Sequence, residues 1–157
     1  MKILAFDSSS KALAIAILED EQLLAEMTIN IKKNHSITLM PAIDFLMESL
    51  DLKPTDLERI VVAEGPGSYT GLRIAVATAK TLAHTLKIGL VGVSSLRILV
   101  PESIDGLVIP LMDARRNNVY AGFYKNGRIV QPEAHLSFEE VLEKVKPDSQ
   151  VTFVGEV

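Results

Sequence analysis

The chain contains no cysteine. That removes disulfides, thiolate catalysis and zinc–thiolate sites together. Tryptophan is also absent, and aromatics make up 5% of a chain that is 48% hydrophobic, an ordinary balance for an α/β protein. No apolar run approaches the roughly 18 residues that a membrane helix needs. Met1-Lys2-Ile3-Leu4-Ala5-Phe6-Asp7 reaches a charge too early for a signal peptide. Together these absences fit a cytoplasmic protein without a membrane role. There is no basic excess either. The net charge is −4, so the surface as a whole is no nucleic-acid footprint, and such a role needs a local basic patch or a basic partner. At 157 residues the chain can bury a core and hold one domain or two small ones.

The most informative segment is Val-Val-Ala-Glu-Gly-Pro-Gly-Ser-Tyr-Thr-Gly-Leu-Arg-Ile at positions 61–74. A β-rich run ends at Glu64, a turn with Gly65, Gly67 and Gly71 follows, and a helix opens at once. Strand, glycine turn and helix N-terminus together can hold an anion. Glycine permits close backbone approach, and the first helical N–H groups point outward. No Gly-Lys-Ser/Thr ends the loop, so it is not a P-loop. Its Gly-x-Gly-x-x-x-Gly spacing is one residue too long for a dinucleotide fingerprint. Ser68 is no nucleophile elbow, because Pro66 and Thr70 stand where glycines are needed. Asp7, Ser8, Ser9, Gly65, Gly67, Ser68 and Gly71 are therefore candidate nucleotide or anion contacts. The plainer alternative is a tight βα turn.

Periodicity predicts strands at 2–7, 12–18 and 22–30, a helix at 36–50, a strand at 59–64, a helix at 71–87 and a strand at 88–93. The first helix has an apolar stripe of Leu39, Met40, Ala42, Ile43, Leu46, Met47 and Leu50. Pro41 removes one N–H and is expected to kink it. Ile37 and Phe45 fall outside the stripe. The order β-β-β-α-β-α-β is a meander followed by parallel crossovers, and it resembles the ribonuclease-H-like fold.

The second part repeats the first. Ile3-Leu4-Ala5-Phe6-Asp7 is echoed by Ile109-Pro110-Leu111-Met112-Asp113, each followed by a polar turn and an apolar strand. Asn126-Gly127 marks a hairpin, a helix is expected at 137–146, and 151–155 matches 60–65. This predicts an α/β protein of two ribonuclease-H-like lobes, residues 1–100 and a partial 101–157, as in the sugar kinase, Hsp70 and actin (ASKHA) superfamily. The second lobe stops where its fourth strand should enter a loop and helix, which implies a C-terminal truncation.

Ile3-Leu4-Ala5-Phe6-Asp7-Ser8-Ser9, Gly65-Pro66-Gly67-Ser68-Tyr69-Thr70-Gly71-Leu72-Arg73-Ile74 and Asp113-Ala114-Arg115-Arg116-Asn117-Asn118-Val119-Tyr120 together resemble the TsaB family across essentially the whole chain. The resemblance implies an accessory, non-catalytic subunit of bacterial tRNA threonylcarbamoyladenosine synthesis, needed for threonylcarbamoyl transfer to N6 of adenosine 37 in tRNAs reading ANN codons. It implies a heterodimer with TsaD, joined by the ATPase TsaE, and contact with tRNA through the complex. TsaD-like relatives carry Gly-Val-Asn-His-x-x-x-His, whose histidines bind a metal. Here Ser95 and Leu99 stand at those places. Leucine cannot ligate, and neutral serine ligates poorly. The chain is therefore expected to have no metal and no cofactor of its own, beyond weak ATP or ADP contact.

His35, His84 and His135 lack partners at ligand spacing and read as structural or surface residues. Asp7 and Asp113 occupy places where kinase relatives keep an aspartate near Mg²⁺ and phosphate, yet no general base accompanies them. Arg73 could cap an anion or pair with Glu64. The second helix has a core face of Leu72, Ala75, Val76, Ala79, Leu82, Ala83 and Leu86, a basic stripe of Arg73, Lys80, His84 and Lys87, and a small third face of Ile74, Ala77, Thr78 and Thr81. With Ile37 and Phe45, that third face is a candidate surface for TsaD, or for a homodimer when TsaD is absent. Arg115 and Arg116 are a candidate phosphate contact against the plainer reading of a solvated turn. The competing functions are a small ASKHA-type kinase or ATPase and a peptidase. The first needs a complete second lobe, and the second has no supporting constellation.

Overall fold

The computed structural model describes residues 1–30, 35–146 and 150–156. The chain forms two compact units, Met1–Val93 and Ser94–Val157.

The first unit runs β1 (Lys2–Asp7), β2 (Ala12–Glu19), β3 (Gln22–Asn30), α1 (His35–Ser49), β4 (Arg59–Ala63), α2 (Tyr69–Leu86) and β5 (Gly89–Val93). Its sheet has the order β3-β2-β1-β4-β5. β1 pairs antiparallel with β2 and parallel with β4. Strand alternation sends Leu4, Phe6, Leu13, Ile15 and Ile17 into the core against Leu39, Ile43, Leu46 and Met47 of α1. Each such side chain contributes about 1.5–3 kcal/mol of burial. α2 offers the sheet Ala75, Ala79 and Ala83 at four-residue spacing, small enough to bring the helix close. α1 continues through Pro41, and Met40 from the expected stripe is exposed.

The second unit runs α3 (Ser95–Ile98), β6 (Leu107–Asp113), β7 (Asn118–Lys125), β8 (Arg128–Ser137), α4 (Phe138–Val145) and β9 (Val151–Glu156). The sheet order is β8-β7-β6-β9, the same path as the first four strands of unit one. β6 pairs antiparallel with β7 and parallel with β9. Its core is Leu107, Ile109, Leu111, Val119, Ala121, Phe123 and Val141. Asn126 and Gly127 both have positive φ, as a two-residue hairpin of this twist requires. Ser137 and Glu140 form a capping box on α4, satisfying N–H groups that the helix leaves open. The duplicated ribonuclease-H-like architecture is thus present.

The division falls after Val93 rather than after residue 100. Ser94 caps α3 and bonds to β8, and Val100 packs with Val108 and Tyr124, so this connector folds with the second sheet. Two short elements escaped the periodicity: α3 and the 3₁₀ turn Pro54–Asp56.

Candidate functional site

All seven candidate nucleotide contacts come together at the β1–β2 turn and the start of α2. The Asp7 carboxylate accepts from the Ser9 N–H at 2.7 Å. The Ser9 carbonyl accepts from the Ser68 N–H at 2.7 Å. Ser8, fully buried, donates its hydroxyl to the Gly71 carbonyl at 2.6 Å. Ser68 Oγ accepts from the Gly71 N–H at 3.3 Å, and its carbonyl from the Leu72 N–H at 2.8 Å.

The glycines follow from this packing. A Cβ on Gly71 would lie 2.0 Å from the Ser8 carbonyl oxygen, and one on Gly67 would lie 2.5 Å from that of Ser9. Gly65 has a φ of +118°, a conformation that side chains disfavour. The loop is therefore a joint that clamps α2 to the β1–β2 turn. The N–H groups of Ser9, Ser68, Gly71 and Leu72 already donate inside it, whereas an anion at a helix N-terminus needs donors that point at it. Ser9 Oγ is buried without a hydrogen-bond partner among the described residues. No group of three or more His, Asp or Glu able to hold a metal occurs among the described residues.

The second unit carries the echo of this turn. Asp113 accepts from the Arg115 N–H at 2.9 Å, as Asp7 does from Ser9. Arg115, Arg116 and Asn117 all have positive φ, and both arginines are exposed.

α3 opens at Ser95, one of the two positions where the resemblance implied a missing ligand. Ser95 is fully buried. Ser94 Oγ accepts from the Leu96 and Arg97 N–H groups and donates to Glu133 Oε1 at 2.5 Å. The same oxygen accepts from the Tyr124 hydroxyl at 2.6 Å. The Arg97 guanidinium lies over the Tyr124 ring, 5.7 Å from its centre. Burial first, and the Glu133 carboxylate second, push the Tyr124 hydroxyl up to about 12. This network was not legible in the sequence. Its members come from three separate elements with no fixed spacing.

The helical surface largely follows expectation. Ile37 and Phe45 on α1 are 70% and 61% exposed. On α2, Ala77 and Thr81 are exposed and Thr78 is half-buried. Ile74 instead packs partly against the core. An apolar groove of about 460 Å³ lies between the helices, its lining including Met40, Asp44, Met47, Leu82 and Leu86. Arg73 does not pair with Glu64. It stacks on Tyr69, 5.4 Å from the ring centre, and Glu64 lies across Gly92. The Tyr69–Arg73 contact was available in the sequence as an i,i+4 pair. His35 faces the Ser10 carbonyl at 3.3 Å, His84 is exposed, and His135 packs against Tyr120.

Residues 22–156 match the family model described as TsaD, tRNA N6-adenosine threonylcarbamoyltransferase. The tRNA threonylcarbamoyladenosine biosynthesis protein TsaB of Bacillus subtilis (strain 168) is 46% identical over 99% of this chain and 71% of its own length. The solved structure of YeaZ from Pseudomonas aeruginosa superposes with a TM-score of 0.79 at 31% identity, covering 86% of this chain and 67% of that one. The activator of the 2-hydroxyisocaproyl-CoA dehydratase from Clostridium difficile, at TM-score 0.54 and 18% identity over 88% of this chain and 46% of that one, shares the fold. No helix among the described residues is long and apolar enough to cross a membrane.

Proposed function

The chain belongs to the TsaB family of tRNA threonylcarbamoyladenosine biosynthesis proteins, and on that premise we propose that it works there as a non-catalytic subunit that binds TsaD. One observation carries the reading. The TsaD family model matches residues 22–156, yet Ser95 and Leu99 stand where the TsaD-like relatives carry metal-binding histidines. A buried serine and a leucine offer no adequate donor pair, and α3 is held by the Ser94–Glu133–Tyr124 network instead. The threonylcarbamoyl transfer to N6 of adenosine 37 is then chemistry of TsaD, and this chain supplies surface. Any ATP or ADP contact belongs to the assembled complex, which TsaE joins, and tRNA reaches this chain there.

The docking face is that of α1 and α2. Ile37 and Phe45 expose large apolar area. Beside them Ala77, Thr78 and Thr81 are small enough for another helix to approach closely. The groove lined by Met40, Met47, Leu82 and Leu86 can take apolar side chains from that helix. The same face serves a homodimer when TsaD is absent.

Co-elution with TsaD on a sizing column tests this. The wild-type chain forms a 1:1 complex, and Phe45→Asp or Thr78→Arg each abolish it while the chain stays folded. Two folded proteins that fail to associate would overturn the reading. ATP turnover by the isolated chain would favour the kinase-like alternative.

A further inference from the structure

Five side chains run along one edge of α2. At 100° per residue, Tyr69, Arg73, Lys80, His84 and Lys87 fall within about 60° of one another around the helix. All five are exposed, Tyr69 to 74%. With a rise of about 1.5 Å per residue, Lys80 lies about 10 Å from both Arg73 and Lys87. α2 contains no carboxylate at all. None of the three full cations makes an ion pair with a described residue, and Arg73 meets only the Tyr69 ring and hydroxyl.

This row reverses the sign of the chain, whose net charge is −4. It is also unfavourable for the helix alone. Like charges on one face repel, and nothing at i±3 or i±4 compensates. The helix dipole favours His84 and Lys87 near its C-terminus, but it disfavours Arg73 near its start.

We propose that this edge of α2 binds the sugar–phosphate backbone of RNA, with Tyr69 at its end offered to an unstacked base. The inference rests on the family reading, which makes a tRNA the substrate of the pathway. Two features favour RNA over an acidic protein face. The cations are spread as a line rather than gathered for one carboxylate cluster, and an exposed aromatic terminates the line. Cations that track a backbone, plus an aromatic that stacks a base, are the means by which single-stranded loops are held. The row lies apart from Ala75 and Ala79, which face the sheet, and from Thr78, whereas Ala77 borders it at about 20° around the helix.

The test is fluorescence anisotropy of a labelled, unmodified tRNA transcript, titrated across a salt series with the full chain alone and mixed with TsaD. Lys80→Ala with Lys87→Ala is expected to weaken binding by about 20–60-fold near 0.1 M salt. It is expected to flatten the slope of log affinity against log salt by about 1.5, as two lost phosphate contacts require. Tyr69→Ala weakens binding without changing that slope. A control pair, Lys11→Ala with Lys53→Ala, removes the same charge from exposed positions elsewhere and leaves both quantities near wild type.

If the α2 pair behaves like the control pair, or wild type binds no tRNA in either form, the proposal fails. If the α2 pair loses co-elution with TsaD but keeps tRNA affinity, the row is a protein contact and the proposal also fails. Neither result touches the partner-subunit reading, which falls only if wild type does not associate with TsaD.

Discussion

Replacing Gly71 with alanine should destabilise the first unit, although the same change in an ordinary helix stabilises by about 1 kcal/mol. The new Cβ would sit 2.0 Å from the Ser8 carbonyl oxygen. That oxygen belongs to backbone between β1 and β2, with Ser8 and Ser9 both buried, so it cannot simply swing aside. Relief requires α2 to move outward by about 1 Å or more, since contacts below about 3 Å are repulsive. The movement pulls Gly71 from the Ser8 hydroxyl, bonded at 2.6 Å, and Ser68 from the Ser9 carbonyl, bonded at 2.7 Å. Overpacking costs about 1–3 kcal/mol, and a buried polar group left without its partner costs about another 1–3. We expect a loss of about 2–5 kcal/mol, a large part of the 5–15 typical of a domain. There is no tryptophan, so urea unfolding is best followed by far-UV circular dichroism. Ser8→Ala, which removes only the hydroxyl, should cost about 1–2 kcal/mol. The two changes should couple in a double-mutant cycle, because both break the same contact. A Gly71→Ala protein as stable as wild type would refute the joint.

The Glu133 network makes a second expectation. Glu133→Ala leaves Ser94 and Tyr124 without their acceptor, so the second unit should lose about 1–3 kcal/mol. The Tyr124 hydroxyl should then titrate below its present value of about 12 yet still above 10.0, because burial, the larger cause, persists; ultraviolet titration reads this directly. The Met1 ammonium is held above its ordinary 8.0 by its hydrogen bond to Asp20, which is held below 3.8 by the same bond. A raised cationic group stabilises fully below its unfolded value and loses that contribution as pH rises through the folded one. The urea midpoint should therefore fall above about pH 8, and Asp20→Asn should remove that slope.

Much of the architecture is legible in the residues because burial has a period. Alternation in Leu13, Ile15 and Ile17 marks a strand, and Ala75, Ala79 and Ala83 mark the inner line of a helix. The repeat of Ile3–Asp7 in Ile109–Asp113 predicts two units of the same path, and the strand orders agree. The boundary between units was less legible. Ser94 looks like loop until its bonds to α3 and to Glu133 are known.

The sequence by itself determined the order of the main strands and helices and the duplication. These are matters of local period. Tertiary structure alone decided what the glycine loop is. Gly67 and Gly71 permit close approach, but the sequence does not say whether the thing approached is a phosphate or another part of the chain. The structure puts the Ser8 and Ser9 carbonyls against Gly71 and Gly67.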